Sequence, residues 1–224
     1  MQTAMERLPL APGQEWENAD DAAQEANLRA GLYRFLGQLF FAELVPESLG
    51  ALRAWAAEVE PSALRGPFLE SLAGEDARVA EELAVGYCAT FVRPGGTPLF
   101  PHESSQREGA VLGEAACQVE SFYRQVQLAL PPESSEFPDH VSVEFEFMAQ
   151  LAGQEAQALA AQDTARVSET RELQRRFLNE HIRIWVPRFA TALEKHAAHL
   201  FYRTLGTLTH LFVKREVALF EGAD

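Results

Sequence analysis

Residues 136 to 148 read Glu-Phe-Pro-Asp-His-Val-Ser-Val-Glu-Phe-Glu-Phe-Met, which sets an acid, an imidazole and a second acid at Asp139, His140 and Glu144. Side chains of these types can ligate a divalent cation, move a proton or receive a cationic ligand. Pro138 favours extended backbone before it and cannot sit inside a helix, so a loop ends there. Asp139 is a good N-cap, and the helix dipole favours a carboxylate at that end. His140 then falls in the first turn of a strongly apolar helix. The expectation is a rigid, partly exposed Asp-His pair beside a hydrophobic wall, suited to recognising a ligand or peptide. The plainer alternative is a capped helix with a buried histidine.

As a metal site, Asp139, His140 and Glu144 offer too few ligands to close a structural centre unaided. A metal-dependent hydrolase on a helical bundle, using these three residues, stands as the alternative function. His196-x-x-His199 also puts two imidazoles on one helix face, where a metal could bind adventitiously, but reads first as a surface pair near a helix end. Other enzyme signatures are absent from the sequence. It has no His-Glu-x-x-His, no Glu-x-x-His and no Gly-x-Ser-x-Gly. Neither lysine, Lys195 or Lys214, follows a glycine, so there is no phosphate loop. Nothing near Cys117 lowers its pKa toward a nucleophilic thiolate. The chain reads as a non-enzyme with no resident cofactor.

Composition narrows the partners. The 224 residues carry a net charge of −14 and are 47% hydrophobic, which suits a folded core and not a disordered chain. The charge is uneven: residues 1 to 150 hold 24 acidic and 9 basic side chains, against 9 and 10 in residues 151 to 224. Nucleic acid is therefore not an expected partner. A cationic partner suits an acidic cleft, although solubility alone accounts for the same charge. No apolar run approaches the roughly 18 residues of a membrane span. Met1 to Asp21 lacks the basic and apolar regions of an export signal, so a cytoplasmic location is expected. In that compartment Cys88 and Cys117 should be reduced and buried. There is no Cys-x-x-Cys pair.

The elements that must position these residues read as helices almost throughout. Leu28, Leu32, Phe35/Leu36 and Leu39/Phe40 form one stripe. Pro46 opens a second helix, with Leu49, Leu52, Trp55 and Val59 inward. Leu64, Phe68 and Leu72 mark a short third segment after Pro61. Val79, Leu83, Tyr87 and Phe91 make a ridge, ended by Pro94, Gly95, Gly96, Pro98 and Pro101. Helix resumes near Gly109, with Val119 and Phe122/Tyr123 inward, and breaks again at Pro131-Pro132. Val141, Phe145, Met148 and Ala152, widened by Phe147 and Leu151, predict a central helix buried on most faces. Leu173, Phe177, Ile182 and Trp185 mark another, bent or stopped before Pro187, and Phe201, Leu205, Leu208 and Phe212 mark the last. No segment alternates with the period of a strand. The expectation is an all-α bundle of about nine or ten helices spanning 21–224, after a flexible N-terminal segment at 1–20. A hinge is expected at 129–138, between a larger N-terminal and a smaller C-terminal part.

Three groups of residues carry a family resemblance. The first is Pro138-Asp139-His140 with Glu144, Phe147-Met148 and Leu151. The second is Tyr87-Cys88-Ala89-Thr90-Phe91, then Pro94-Gly95, then Pro98-Leu99-Phe100-Pro101-His102-Glu103-Ser104. The third is Phe177, His181, Trp185, Pro187 and Phe189. Together, over roughly residues 25 to 220, the chain resembles the TorD/DmsD family of cytoplasmic chaperones for molybdenum-cofactor oxidoreductases. It departs from the family pattern at Thr90, where leucine is usual, and at His102 and Gln106, where aromatics are usual. The resemblance implies a client: a molybdoenzyme catalytic-subunit precursor with a twin-arginine signal peptide or, in the other branch of the family, a nitrate-reductase-type enzyme that stays in the cytoplasm. It implies a binding site of Pro138, Asp139, His140, Glu144, Tyr87, Phe91, Phe100, Pro101, His102 and Ser104. Phe100, Tyr87 and His102 would line a groove beside His140, taking up an apolar helix. Glu136, Asp139 and Glu144 are the nearest carboxylates by sequence to receive the arginines. Similar proteins bind guanine nucleotides, a weak possibility here, and exchange helices, so a monomer or a helix-swapped dimer is expected. A helical interaction module with an unrelated client would keep the groove but show no preference for paired arginines.

Overall fold

A computed structural model of the chain describes residues 19–41, 44–92, 98–126 and 137–222. Ten α-helices occur among them: α1 (Ala19–Phe41), α2 (Pro46–Glu58), α3 (Arg65–Ser71), α4 (Asp76–Tyr87), α5 (Glu103–Glu108), α6 (Glu114–Gln125), α7 (Val141–Ala160), α8 (Thr164–Phe177), α9 (Arg183–His196) and α10 (Leu200–Glu221). A 3-10 turn at Ser62–Leu64 leads into α3, and π-helical turns at Cys88–Val92 and Leu178–Ile182 follow α4 and α8. No strand occurs among the described residues; the one extended pairing is an isolated bridge between His102 and His140. The fold is all-α, as the periodicity predicts. The N-terminal segment up to residue 18, Pro94, Gly95, and the expected hinge up to Glu136 lie outside the described residues.

The described chain divides into two compact units. The first takes residues from 42–100 and 186–216, hence α2 to α4 and most of α9 and α10. Its core is aromatic. Trp55 meets Phe68 edge-on at 5.1 Å, and Phe68 meets Phe201 at 5.5 Å. Tyr202 lies 5.7 Å from Phe91 and 6.2 Å from Tyr87, and its hydroxyl donates to the Leu83 carbonyl at 3.1 Å. Gly206 lets α10 close on α9: a Cβ there would sit 2.7 Å from the Ala190 carbonyl oxygen and the Glu194 amide nitrogen.

The second unit takes 19–41, 101–185 and 217–222. Its centre is α7, which buries residues on most of its faces, including Val141, Phe145, Phe147, Met148, Leu151 and Ala152. α1 lies antiparallel to it. Tyr33 meets the Phe145 ring at 5.5 Å, Arg34 pairs with Glu146, and Arg29 pairs with Glu155 at 2.9 Å. Glu155 is buried, accepts from Gln174 of α8 at 2.8 Å and forms an ion pair with Arg171 of α8 at 2.8 Å. One carboxylate therefore ties three helices.

Three local expectations need correction. Helix does not resume near Gly109. A short helix, α5, precedes it, and Gly109 ends α5 in the left-handed conformation (φ 77°) that glycine accepts at little cost. Pro187 does not stop its helix but sits inside α9, one turn beyond the π-helical segment. It lacks only the amide that would bond one turn back. Cys88 and Cys117 are both exposed rather than buried. Each stands on the outer side of a helix whose apolar face is already filled.

The Glu155 tie carries a test. Removing one partner of a buried ion pair strands the other, so Glu155→Ala should lower unfolding stability by roughly 3–5 kcal/mol in urea titrations. Glu146→Ala breaks an exposed pair with Arg34 and should cost at most about 1 kcal/mol.

Candidate functional site

The motif around Pro138 is held by backbone first. Val141 N–H donates to the Pro101 carbonyl and Glu103 N–H to the Asp139 carbonyl, both at 2.9 Å. These bonds set Pro101–Glu103 antiparallel to Asp139–Val141. Asp139 then reaches across: its Oδ2 accepts from the Ser104 amide at 2.9 Å and from the Ser104 hydroxyl at 2.5 Å. Asp139 therefore caps α5, not the helix that follows it in sequence. The α7 N-cap is His140, whose Nδ1 accepts from Ser142 N–H at 3.2 Å and lies 2.6 Å from the Ser142 hydroxyl. With two donors on Nδ1, that nitrogen keeps its lone pair, and the ring is neutral with its proton on Nε2.

The Asp-His pair is also buried, not partly exposed. Its neighbours are two further buried carboxyl groups. Glu103, the first residue of α5, accepts from Arg107 at 2.5 Å and lies 2.9 Å from His181 Nδ1. Glu144 accepts from the Trp185 indole at 3.0 Å. Tyr123 closes the frame by donating to the Pro138 carbonyl at 3.0 Å. One oxygen each of Asp139 and Glu144 has no hydrogen-bond partner among the described residues.

This crowding sets the protonation states. Burial, then the charge of Glu103, pushes Glu144 well above the usual carboxylate range; the Trp185 bond pulls the other way, and Asp139 adds to the push. Glu144 thus favours its neutral form. Burial, then the nearby His102 ring, lowers His140 to about 3. Burial lowers His102 as well, against the pull of Asp139. Tyr123 is raised well above its ordinary value by burial and by the three carboxyl groups.

The structure gathers seven of the expected site residues in the second unit: Pro101, His102, Ser104, Pro138, Asp139, His140 and Glu144. The His102 and His140 rings are 4.9 Å apart, and His102 lies 5.7 Å from Phe137, which is 40% exposed. Tyr87, Phe91 and Phe100 belong to the first unit. There Phe91 is buried against Tyr87 at 4.9 Å, and Leu99 N–H anchors the loop to the Thr90 carbonyl at 3.0 Å. Of the carboxylates expected to receive arginine, Asp139 and Glu144 are fully buried, and Glu136 lies outside the described residues.

Glu103, Tyr123, His181 and Trp185 were not among the expected site residues. The spacing of His181 and Trp185, four apart on one helical face, is the signal that could have found two of them. At Asp139, His140 and Glu144, Oδ2 is bonded to Ser104, Nδ1 to Ser142 and Oε2 to Trp185, while Oδ1 and Oε1 carry no hydrogen bond among the described residues. Among the described residues no three acidic, histidine or cysteine side chains form a cation-binding group. His199 of the surface pair spends its Nδ1 on the Phe201 amide, 3.2 Å away.

Comparison with known proteins adds three findings. The family described as nitrate reductase delta subunit matches residues 45–191. Proteins named chaperone protein TorD are similar along most of their length. That of Vibrio cholerae serotype O1, strain N16961, is 24% identical over 208 residues, covering 84% of this chain and 90% of the relative. That of Shewanella loihica is 27% identical, covering 83% and 89%, and that of a Psychrobacter species is 29% identical, covering 79% and 81%. A crystal structure described as a redox enzyme maturation protein from Archaeoglobus fulgidus shares the fold, with a TM-score of 0.54 and 24% identity over 84% of this chain and 94% of its own.

The buried groups give the site a pH signature of two signs. The unfolded chain takes up a proton at His140 near pH 6.5, and the folded chain only near 3. His140 therefore supports the fold fully above pH 6.5, and its support drains as pH falls toward 3. Glu144 holds its proton more tightly when folded, so its contribution is fullest below 4.5 and fades as pH rises through its raised pKa. His140→Asn keeps an acceptor at the N-cap and should remove an acid-side slope of up to about 1.4 kcal/mol per pH unit. Glu144→Gln keeps an acceptor for Trp185 and should gain stability relative to the parent as pH rises. Urea unfolding at about pH 5 and about pH 8 measures both, and equal slopes in parent and variants would refute the assignment.

Proposed function

The chain belongs to the nitrate reductase delta subunit family, the family of the TorD chaperones, and on that premise we propose that it is a maturation chaperone for a molybdenum-cofactor oxidoreductase. Its client is the catalytic-subunit precursor, carrying a twin-arginine leader. It binds the leader, the apoenzyme or both in the cytoplasm, and holds the precursor until the cofactor is inserted and export can begin. The chaperone makes and breaks no covalent bond and has no resident cofactor. For a guanine nucleotide the sequence offers no phosphate loop. The working form is a monomer or a helix-swapped dimer.

The observation that carries this reading is the match of the family over residues 45–191, which takes in the whole buried frame. The frame supports a positioning role for the motif. Asp139, His140, Glu144 and Ser104 are buried; Asp139 is bonded to Ser104, His140 to Ser142 and Glu144 to Trp185, which supports a role in fixing the shape of Pro101–Ser104 and of the segment at Phe137. Contact with the client falls to what that frame presents at the surface, with Phe137 the exposed aromatic beside it. Aromatic anchors of this kind dominate the binding of apolar helices. The leader's arginines must then pair with exposed carboxylates, since Asp139 and Glu144 have none of their surface available.

The tagged chain, recovered from its native host grown without oxygen, should carry one molybdoenzyme catalytic subunit with its twin-arginine leader intact, identified by mass spectrometry. Replacing the leader's arginine pair by lysines should weaken capture, because lysine cannot make the bidentate bond to a carboxylate. Recovery of no oxidoreductase under these conditions would overturn the reading. A stoichiometric metal in the purified protein would revive the hydrolase.

A further inference from the structure

The outer face of α4 carries a surface that packing within the first unit does not account for. The helix buries Val79, Ala80, Leu83 and Gly86 inward. On the opposite side Val85, Cys88, Ala89 and Val92 are exposed, running from α4 onto the π-helical turn. Val85, at 64%, is the most exposed large apolar side chain among the described residues, and Val92 stands at 55%. The spacing 85, 88/89, 92 places them along one helical face. Single exposed apolar residues are ordinary, but a contiguous row is not. Helix stability does not explain the row either, because valine is a poorer helix former than the alanine or glutamate usual at exposed sites.

One turn toward the N-terminus, the same face ends in carboxylates. Glu81 and Glu82 are exposed, and so is Glu75 just before the helix. Arg78, the sole cation on α4, is spent on Glu82 at 2.9 Å and on the Ala73 carbonyl at 3.3 Å. Glu81 has no ion-pair or hydrogen-bond partner among the described residues. The face thus reads, from N- to C-terminal end, as negative and then apolar.

We infer that this face is a docking surface for a client segment in which cations are followed by an apolar stretch, laid parallel to α4. Its basic end meets Glu81, beside the Glu82 that Arg78 already holds, and its apolar part covers Val85, Cys88, Ala89 and Val92. The order of charge and apolarity selects the direction as well as the chemistry: a segment laid the other way sets its cations against valines. The inference rests on the chaperone reading above and gives the leader a place on this chain that the buried Asp139 and Glu144 do not offer.

Cys88 lies inside the row and Cys117 outside it, on α6, so the chain carries its own reporter. The probe is a synthetic peptide with an arginine pair followed by an apolar stretch. Binding is measured to the parent, Val85→Asp and Glu81→Lys, chosen because both positions are exposed, with circular dichroism to check that each variant keeps the fold. Maleimide labelling of Cys88 is followed in a Cys117→Ser chain, with and without peptide. The expected result is binding roughly tenfold weaker in each variant, with Cys88 labelling slowed by the peptide. Parent and variants binding alike, with Cys88 labelled at an unchanged rate, overturns this surface and leaves the chaperone reading standing. Capture of the full precursor by the parent without binding of the peptide does the same. If neither peptide nor precursor binds, both fall. A change of sedimentation in Val85→Asp, with peptide binding untouched, assigns the row to a second copy of the chain and overturns the inference.

Discussion

Three acidic side chains, Glu103, Asp139 and Glu144, share the buried interior of one unit, and the rules for burying charge govern what surrounds them. Each is met by donors from a different place. Arg107 and His181 serve Glu103, the amide and hydroxyl of Ser104 serve Asp139, and the Trp185 indole serves Glu144. Even so they cannot all ionise freely, and Glu144 gives way by favouring its proton. Removing any donor would strand a carboxyl group, so the segments that supply donors are locked to one arrangement.

The histidines follow the same economy. His140 and His199 each stand just before a helix and accept from the amide two residues on. Each must stay neutral to do so, and burial lowers the pKa of both. Residue types that invite a metal or a catalytic role are here used to finish helix ends.

Much of the architecture was legible because it is local. The stripes at Leu28–Phe40, Val79–Phe91 and Val141–Ala152 fall in α1, in α4 with its π-helical turn, and in α7, and the apolar excess of α7 announced its central place. What could not be read depends on partners far along the chain. α5, with the sequence Glu-Ser-Ser-Gln-Arg-Glu, has no apolar period, and its cap arrives from Asp139, 35 residues away. For the same reason Asp139 looks like the cap of its own helix and His140 like an exposed neighbour. The cysteines misled through a statistical habit: cysteine is commonly buried, but Cys88 and Cys117 fall on faces opposite the filled apolar ones. The membership of Pro101, His102, Ser104 and Asp139 in one cluster was available only through resemblance, since nothing in spacing alone joins residue 102 to residue 140.

The partners of the buried acids are 35, 41 and 78 positions apart in the chain. During synthesis Glu103 and Ser104 leave the ribosome long before the residues that complete them. Until Asp139 has emerged, Ser104 lacks its cap; until the segment through Trp185 has emerged, Glu103 has only Arg107, and Glu144 lacks its indole donor. The protein that is proposed to wait on a partner's completion is itself unfinished, at this point of its structure, until the chain through Trp185 has been made.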